Sequence, residues 1–211
     1  MKISRARRNR IILFALLAVA VVVLIAVVAI LAPILTHKSA GGSGQALPID
    51  YVSEVSATGA DGRTRSLEVT ETSGESFDPA SVRPGESLTV TGSGFDAAIG
   101  IYVAICAIPS DPSVKPGPCL GGIPEGATEE SADTSKFSSV WISDDWAWRA
   151  FATQGYNDPK TGSFTTSLLV PAAQTEGLDC TVTRCAITTR ADHTAVNDRV
   201  QDLLIPISFA K

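Results

Sequence analysis

Few residues in this 211-residue chain carry reactive chemistry: four cysteines, two histidines and three tryptophans stand out. Asp192 and His193 are adjacent, which invites the carboxylate-oriented base of acid–base catalysis. Neighbours on a strand point to opposite faces, however, and no G-x-S-x-G nucleophile sequence accompanies them, so His193 reads as a loop histidine. Asp198, Asp202 and the Asp144–Asp145 pair supply oxygen donors, but their spacing lacks the tight D-x-D-x-D-G turn of a calcium loop. Glu125, Glu129, Glu130 and Asp133 read as a solvated acidic loop. Cys106, Cys119, Cys180 and Cys185 are not spaced C-x-x-C and have only His193 near them, which disfavours zinc. No metal and no cofactor is expected.

The aromatic residues are distributed unevenly. Phe137, Trp141, Trp146, Trp148, Phe151 and Tyr156 lie within twenty positions and include all three tryptophans. Asp144-Asp145-Trp146-Ala-Trp-Arg149 suits a short helix capped by Ser143, or an edge strand with Trp146 and Trp148 on one face. Tryptophan combines large apolar area with a polar handle and is favoured at interaction hot spots, so the segment is a candidate binding surface. The other reading is that these rings fill the domain's own core.

Charge and hydropathy say where such a surface would be displayed. Residues 1–38 carry six basic residues and no acid, leaving 11 basic against all 22 acidic residues in the remainder, a net −11. That balance disfavours a phosphate-binding surface of clustered Lys and Arg, and no nucleic-acid partner is expected. Residues 1–10 form a basic flank. From Ile11 to Leu35 no residue is charged, and the transmembrane helix is placed at 11–36. At ~1.5 Å per residue this stretch is ~37 Å long, enough to cross a hydrocarbon core of ~30 Å. It exceeds the apolar stretch of a secretory signal, and Lys38-Ser39-Ala40 is a poor cleavage site, so a retained single-pass anchor is expected. The Arg-rich flank stays cytoplasmic and puts the rest outside the cell membrane, with the bilayer itself a partner through residues 11–36. Residues 37–66, with Gly41-Gly42-Ser43-Gly44 and Gly59-Ala-Asp-Gly62, read as a flexible linker, in which Tyr51–Val55 alternates as an edge strand would.

Beyond it, residues 67–211 alternate with period two. Leu67 and Val69 share a face, as do Leu88 and Val90. Ile101, Val103 and Ile105 oppose Tyr102, Ala104 and Cys106; Phe164 to Val170 and Leu203 to Phe209 repeat the pattern. Gly/Pro turns separate the runs, and no long amphipathic helix follows the anchor, so an all-β, two-sheet sandwich is expected. Pro206 consigns part of the last strand to an edge or a bulge. Outside the membrane the four cysteines read as two disulfides, with three possible connectivities. Local pairing, Cys106–Cys119 and Cys180–Cys185, is favoured because each loop is compact and turn-rich. The larger link constrains the unfolded chain by ~3 kcal/mol.

Several segments resemble the neocarzinostatin-type apoproteins of actinomycete enediyne chromoproteins. They are Leu88-Thr-Val-Thr-Gly-Ser-Gly-Phe95, Tyr102-Val-Ala-Ile-Cys-Ala107, Phe137-Ser-Ser-Val140, Gly162-Ser-Phe-Thr-Thr-Ser-Leu-Leu-Val170, Asp179-Cys180 with Cys185, and Ile205-Pro-Ile-Ser-Phe209. The resemblance spans about Leu67 to Phe209. It implies a seven-stranded immunoglobulin-like β-sandwich with two local disulfides, and membership of an actinobacterial family of secreted antibacterial carriers. Those carriers hold a DNA-cleaving chromophore in a cleft. Phe137 matches a cleft-lining phenylalanine and the Cys106–Cys119 bridge matches the cleft floor. Ala107-Ile108 stands where the family has Ala-Trp, and residues 171–179 lack the family's aromatic wall.

These readings lead to a non-enzymatic, membrane-anchored extracytoplasmic binding domain that recognises a small apolar ligand or a protein. Phe137, Trp141, Trp146, Trp148, Phe151, Tyr156 and Ile108 are its candidate contacts. The alternatives are an accessory subunit of a membrane-protein complex in the cell envelope, or an antimicrobial chromoprotein-type carrier.

Overall fold

The computed structural model describes residues 5–73, 76–122 and 133–210; the acidic positions Glu125, Glu129 and Glu130 lie outside them. It divides into two units, residues 1–37 and 38–211. The first is the helix α1 (Arg5–Thr36), which takes in the basic flank and keeps Pro33 in its last turn. Past Arg10 its side chains are apolar on all sides and mostly exposed. It is the one helix among the described residues long and apolar enough to cross a membrane.

The second unit is all-β. Its strands are β1 (Glu54–Thr58), β2 (Thr64–Glu71), β3 (Ser87–Ser93), β4 (Ile101–Ala107), β5 (Ser139–Ile142), β6 (Phe164–Leu169), β7 (Gln174–Thr175), β8 (Leu178–Asp179), β9 (Cys185–Ala191) and β10 (Leu203–Ile207). Antiparallel pairing gives one sheet in the order β1-β2-β3-β6, a second in the order β10-β9-β4-β5, and the small ribbon β7-β8. The two four-stranded sheets share one core. Leu67, Val69, Leu88, Val90, Phe164 and Leu168 face Ile101, Val103, Ile105, Val140, Ile187 and Ile205. Burial alternates along β2, β3 and β6, as period-two strands with one solvated face require. In the second sheet, β4 and β9 are buried on both faces, with the 106–119 loop lying over the outer one.

Six of the eight strands in the two sheets lie wholly in the stretch expected to form the sandwich, and β2 begins three residues before it. The eighth, β1, comes from the expected linker and pairs with β2 along its whole length, Glu54 opposite Glu68 through Thr58 opposite Thr64. The linker reading needs correcting for the segment before β1 too. Ala40 N–H donates to Asp198 Oδ2 at 3.1 Å, Arg199 N–H to the Gly41 carbonyl at 3.2 Å, and Ala60 N–H to the Gly42 carbonyl at 2.9 Å. Gly41 and Gly44 have φ of +110° and +79°, and a Cβ at Gly44 would collide with the Thr58 carbonyl. These glycines fit tight backbone approaches rather than slack chain.

Gln45 completes this fastening. Its side-chain amide donates to the Leu204 carbonyl and accepts from the Leu204 N–H, both at 2.8 Å. It thus supplies to the edge strand β10 what a neighbouring strand would. Pro206 sits on that same edge strand, where its missing N–H is tolerated. Gln45→Ala leaves both buried backbone groups of Leu204 unpaired and lowers unfolding stability by about 1–3 kcal/mol. Thermal denaturation of the full chain in detergent reads that loss.

Both local disulfides are formed, Cys106–Cys119 and Cys180–Cys185. The first draws the loop after β4 back over the second sheet, where the Pro116 carbonyl accepts from Arg190 Nη1 at 2.9 Å.

Candidate aromatic contact surface

The second sheet carries a transverse row on its outer face. Arg190 on β9 is opposite Tyr102 on β4, and Tyr102 is opposite Trp141 on β5. Cross-strand partners stand close enough for large rings to touch. The Tyr102 and Trp141 ring centres are 5.9 Å apart, and the Arg190 guanidinium lies 5.8 Å from the Tyr102 ring, within cation–π range.

Two loops add to this row. After β5 the chain turns at Asp145, whose Oδ1 accepts from Ala147 N–H at 2.8 Å and whose carbonyl accepts from Trp148 and Arg149. The expected helix or edge strand over 144–149 is therefore a run of turns closed by Asp145, with Ser143 Oγ accepting from Asp145 N–H. This turn sends Trp148 inward, 6.4 Å from Trp141, and leaves Trp146 72% exposed. Phe151 packs beside Trp148 at 6.5 Å and is 62% exposed.

The second loop, 192–202, brings His193. Its ring meets Trp148 edge-on at 4.7 Å and Trp141 at 5.1 Å, and its Nδ1 is 3.1 Å from Tyr102 Oη. Burial, together with the Asp192 carboxylate, raises the Tyr102 pKa and keeps the proton on the phenol. Asp192 itself is wholly buried. Its Oδ2 accepts from Trp141 Nε1 at 2.9 Å, and its Oδ1 accepts from the backbone N–H and hydroxyl of Thr194. The two sequence neighbours thus work apart: Asp192 orients Trp141, and His193 bonds to Tyr102.

The remaining candidates scatter. Phe137 and Tyr156 belong to the core, at 3% and 6% exposure, which removes them from any contact surface. The Tyr156 hydroxyl donates to the Ile99 carbonyl at 3.0 Å, and burial pushes its pKa up. With Phe137 inside, the cleft-lining role implied by the family resemblance has no exposed ring at that position. Ile108 is half-buried at the far end of β4 from Tyr102, its N–H donating to the Arg184 carbonyl at 2.9 Å. Asp198 and Asp202 are engaged internally. Asp198 accepts from Ala40 and Val200 N–H groups, and Asp202 pairs with the buried Arg199 at 2.9 Å.

Tyr102, Arg190 and His193 belong to the surface but are not among the candidate contacts, nor is the buried Asp192 that orients Trp141. Tyr102 was legible, since alternation along β4 already puts it on the face opposite the core. His193 was not, because its neighbours come from a different strand and loop. No family model, curated protein or solved structure matches the chain.

Burial pushes the Asp202 pKa up to about 7, against the opposing pull of Arg199. A carboxyl whose folded pKa exceeds its unfolded value binds more protons when folded. The stability that Asp202 contributes is therefore lost as pH rises from about 4 to about 7, and the loss is complete above that window. Melting temperatures of the wild type should fall relative to Asp202→Asn across this range.

Proposed function

We propose that the chain is a membrane-anchored, extracytoplasmic binding domain whose contact surface is the cluster of Tyr102, Trp141, Trp146, Trp148, Phe151 and His193. The observation that carries this reading is the exposure of Phe151 beside the ring cluster of Trp148, Trp141, Tyr102 and His193, with Trp146 exposed two residues from Trp148 in the same run of turns. Rings on this scale that the core does not use mark an interaction site. Supporting the placement are α1, the Arg5, Arg7, Arg8 and Arg10 flank before it, and two disulfides that persist only in an oxidising compartment. The order β2-β3-β6 against β10-β9-β4-β5 supports an immunoglobulin-like, neocarzinostatin-like form for the sandwich. The net −11 of the outer residues favours no nucleic-acid partner.

A photo-crosslinking benzoylphenylalanine placed at position 146, and at 182 for comparison, tests the reading in native envelopes. Val182 is as exposed as Trp146 but lies in the 181–184 turn, away from the aromatic cluster. Light-dependent adducts, to lipid or protein, are expected at 146 and not at 182. Equal yields at the two positions would remove the special status of the cluster.

A further inference from the structure

We propose that the occupant of this aromatic surface is the lipid interface of the membrane in which the chain is itself anchored. The inference rests on the contact-surface reading above and adds the partner. It starts from the length of chain between the helix and the sandwich. The helix ends at Thr36, and from Ala40 onward the backbone is hydrogen-bonded into the sandwich. Four residues extend at most about 14 Å. Whatever angle the helix takes, the end of the sandwich that receives the tether cannot move farther than that from the point where the chain leaves the bilayer.

The receiving element is the 192–202 loop. Asp198 and Arg199 hold Ala40 and Gly41, and five residues earlier the same loop presents His193 to Trp141 and Trp148. Val196, between these two contacts, is 54% exposed. The tethered end of the sandwich is thus also the end that displays Trp146, Phe151 and Val196. A short tether brings an apolar, tryptophan-bearing surface to a bilayer, and the headgroup region is where such residues are most favourably placed. Indole and phenol rings settle there with the apolar body toward the acyl chains and the polar edge toward water. Asp144, Asp145 and the exposed Arg149 flank the surface, a rim of mixed sign that a zwitterionic headgroup matches better than an anionic one.

The chain offers its own reporter, because its three tryptophans are Trp141, Trp146 and Trp148, all in the surface. Full-length protein is reconstituted into phosphatidylcholine liposomes, with and without bromine on the acyl chains near the headgroup. With the brominated lipid, intrinsic emission is expected to fall by about half, as interfacial tryptophans require. Resistance to aqueous acrylamide should also increase relative to detergent. A Trp146→Ser/Phe151→Ser variant, altered only at exposed positions, should keep its melting temperature and lose much of the quenching difference. Emission unaffected by bromine and fully open to acrylamide overturns the lipid assignment. If that result accompanies adducts at position 146 in native envelopes, the partner is a protein and the contact-surface reading survives. If neither signal appears, both readings fall.

Discussion

Asp61→Ala lowers the unfolding stability of the sandwich by about 3–5 kcal/mol, although Asp61 itself is not fully buried. Its partner explains the size of the effect. Arg65, the second residue of β2, is wholly buried, and its guanidinium is gripped on three sides. Asp61 accepts from Nη2 at 2.6 Å and from Nη1 at 3.0 Å, and Gln201 Oε1 accepts from Nε at 2.7 Å. The bidentate fork suits the planar guanidinium and holds the Asp61 carboxyl below the usual carboxylate range. Without the carboxylate, a buried cation keeps one neutral amide and the weak 3.4 Å contact to the Arg63 carbonyl. The complementary change is milder. Arg65→Met removes the charge that needs compensation and leaves an aspartate free to hydrate, so it should cost clearly less than Asp61→Ala. Equilibrium unfolding of the full chain in detergent measures both, and an Asp61→Ala loss under about 1 kcal/mol would place this pair with ordinary surface bridges.

Phe164→Ala is the second large loss, about 3–5 kcal/mol. Phe164 is 1% exposed on β6, with its ring 5.2 Å from Phe95 and 6.3 Å from Tyr156. It lies opposite Gly92 on β3, and any Cβ at Gly92 would fall inside the van der Waals surface of the Phe164 ring. The glycine is therefore half of a packing pair rather than a break in the strand. Gly92→Ala should destabilise the wild type, yet cost much less once Phe164 is alanine and the cavity is open. Simple addition of the two single losses in the double variant would contradict this account of the contact.

The parts of the fold that were legible in the sequence are those whose physics is local. Leu88 and Val90 and Phe164 to Leu168 alternate because one face of each strand meets the core and the other meets solvent, and β4 keeps an apolar period at Ile101, Val103 and Ile105 although its outer face is covered too. β9 resists that reading, since Ala186, Ile187, Thr188 and Thr189 are all buried and no polar face marks the period. The segment 39–48 misled for a different reason. Composition does not distinguish a glycine that gives slack from one that a positive φ or a close carbonyl demands, as at Gly41 and Gly44. Clustering of the aromatics was plain in sequence, but their division into core and surface was not. Phe137 and Tyr156 go inward because β6 and the β3–β4 connection pack against them, and Trp146 goes outward because Asp145 closes a turn. Such choices depend on partners distant in the chain.

Site-specific thiol labelling tests the contact surface most directly. The four native cysteines are all in disulfides, so one introduced cysteine is the sole reactive thiol. Trp146→Cys and Val182→Cys place it on the aromatic cluster and on the 181–184 turn, at positions exposed alike in the isolated fold. With a membrane-impermeant maleimide on intact cells, the account predicts prompt labelling at 182 and slow labelling at 146. Detergent extraction should raise the rate at 146 severalfold and leave 182 unchanged. Equal, prompt labelling of both positions in intact cells would contradict it, because the aromatic cluster would then face open water.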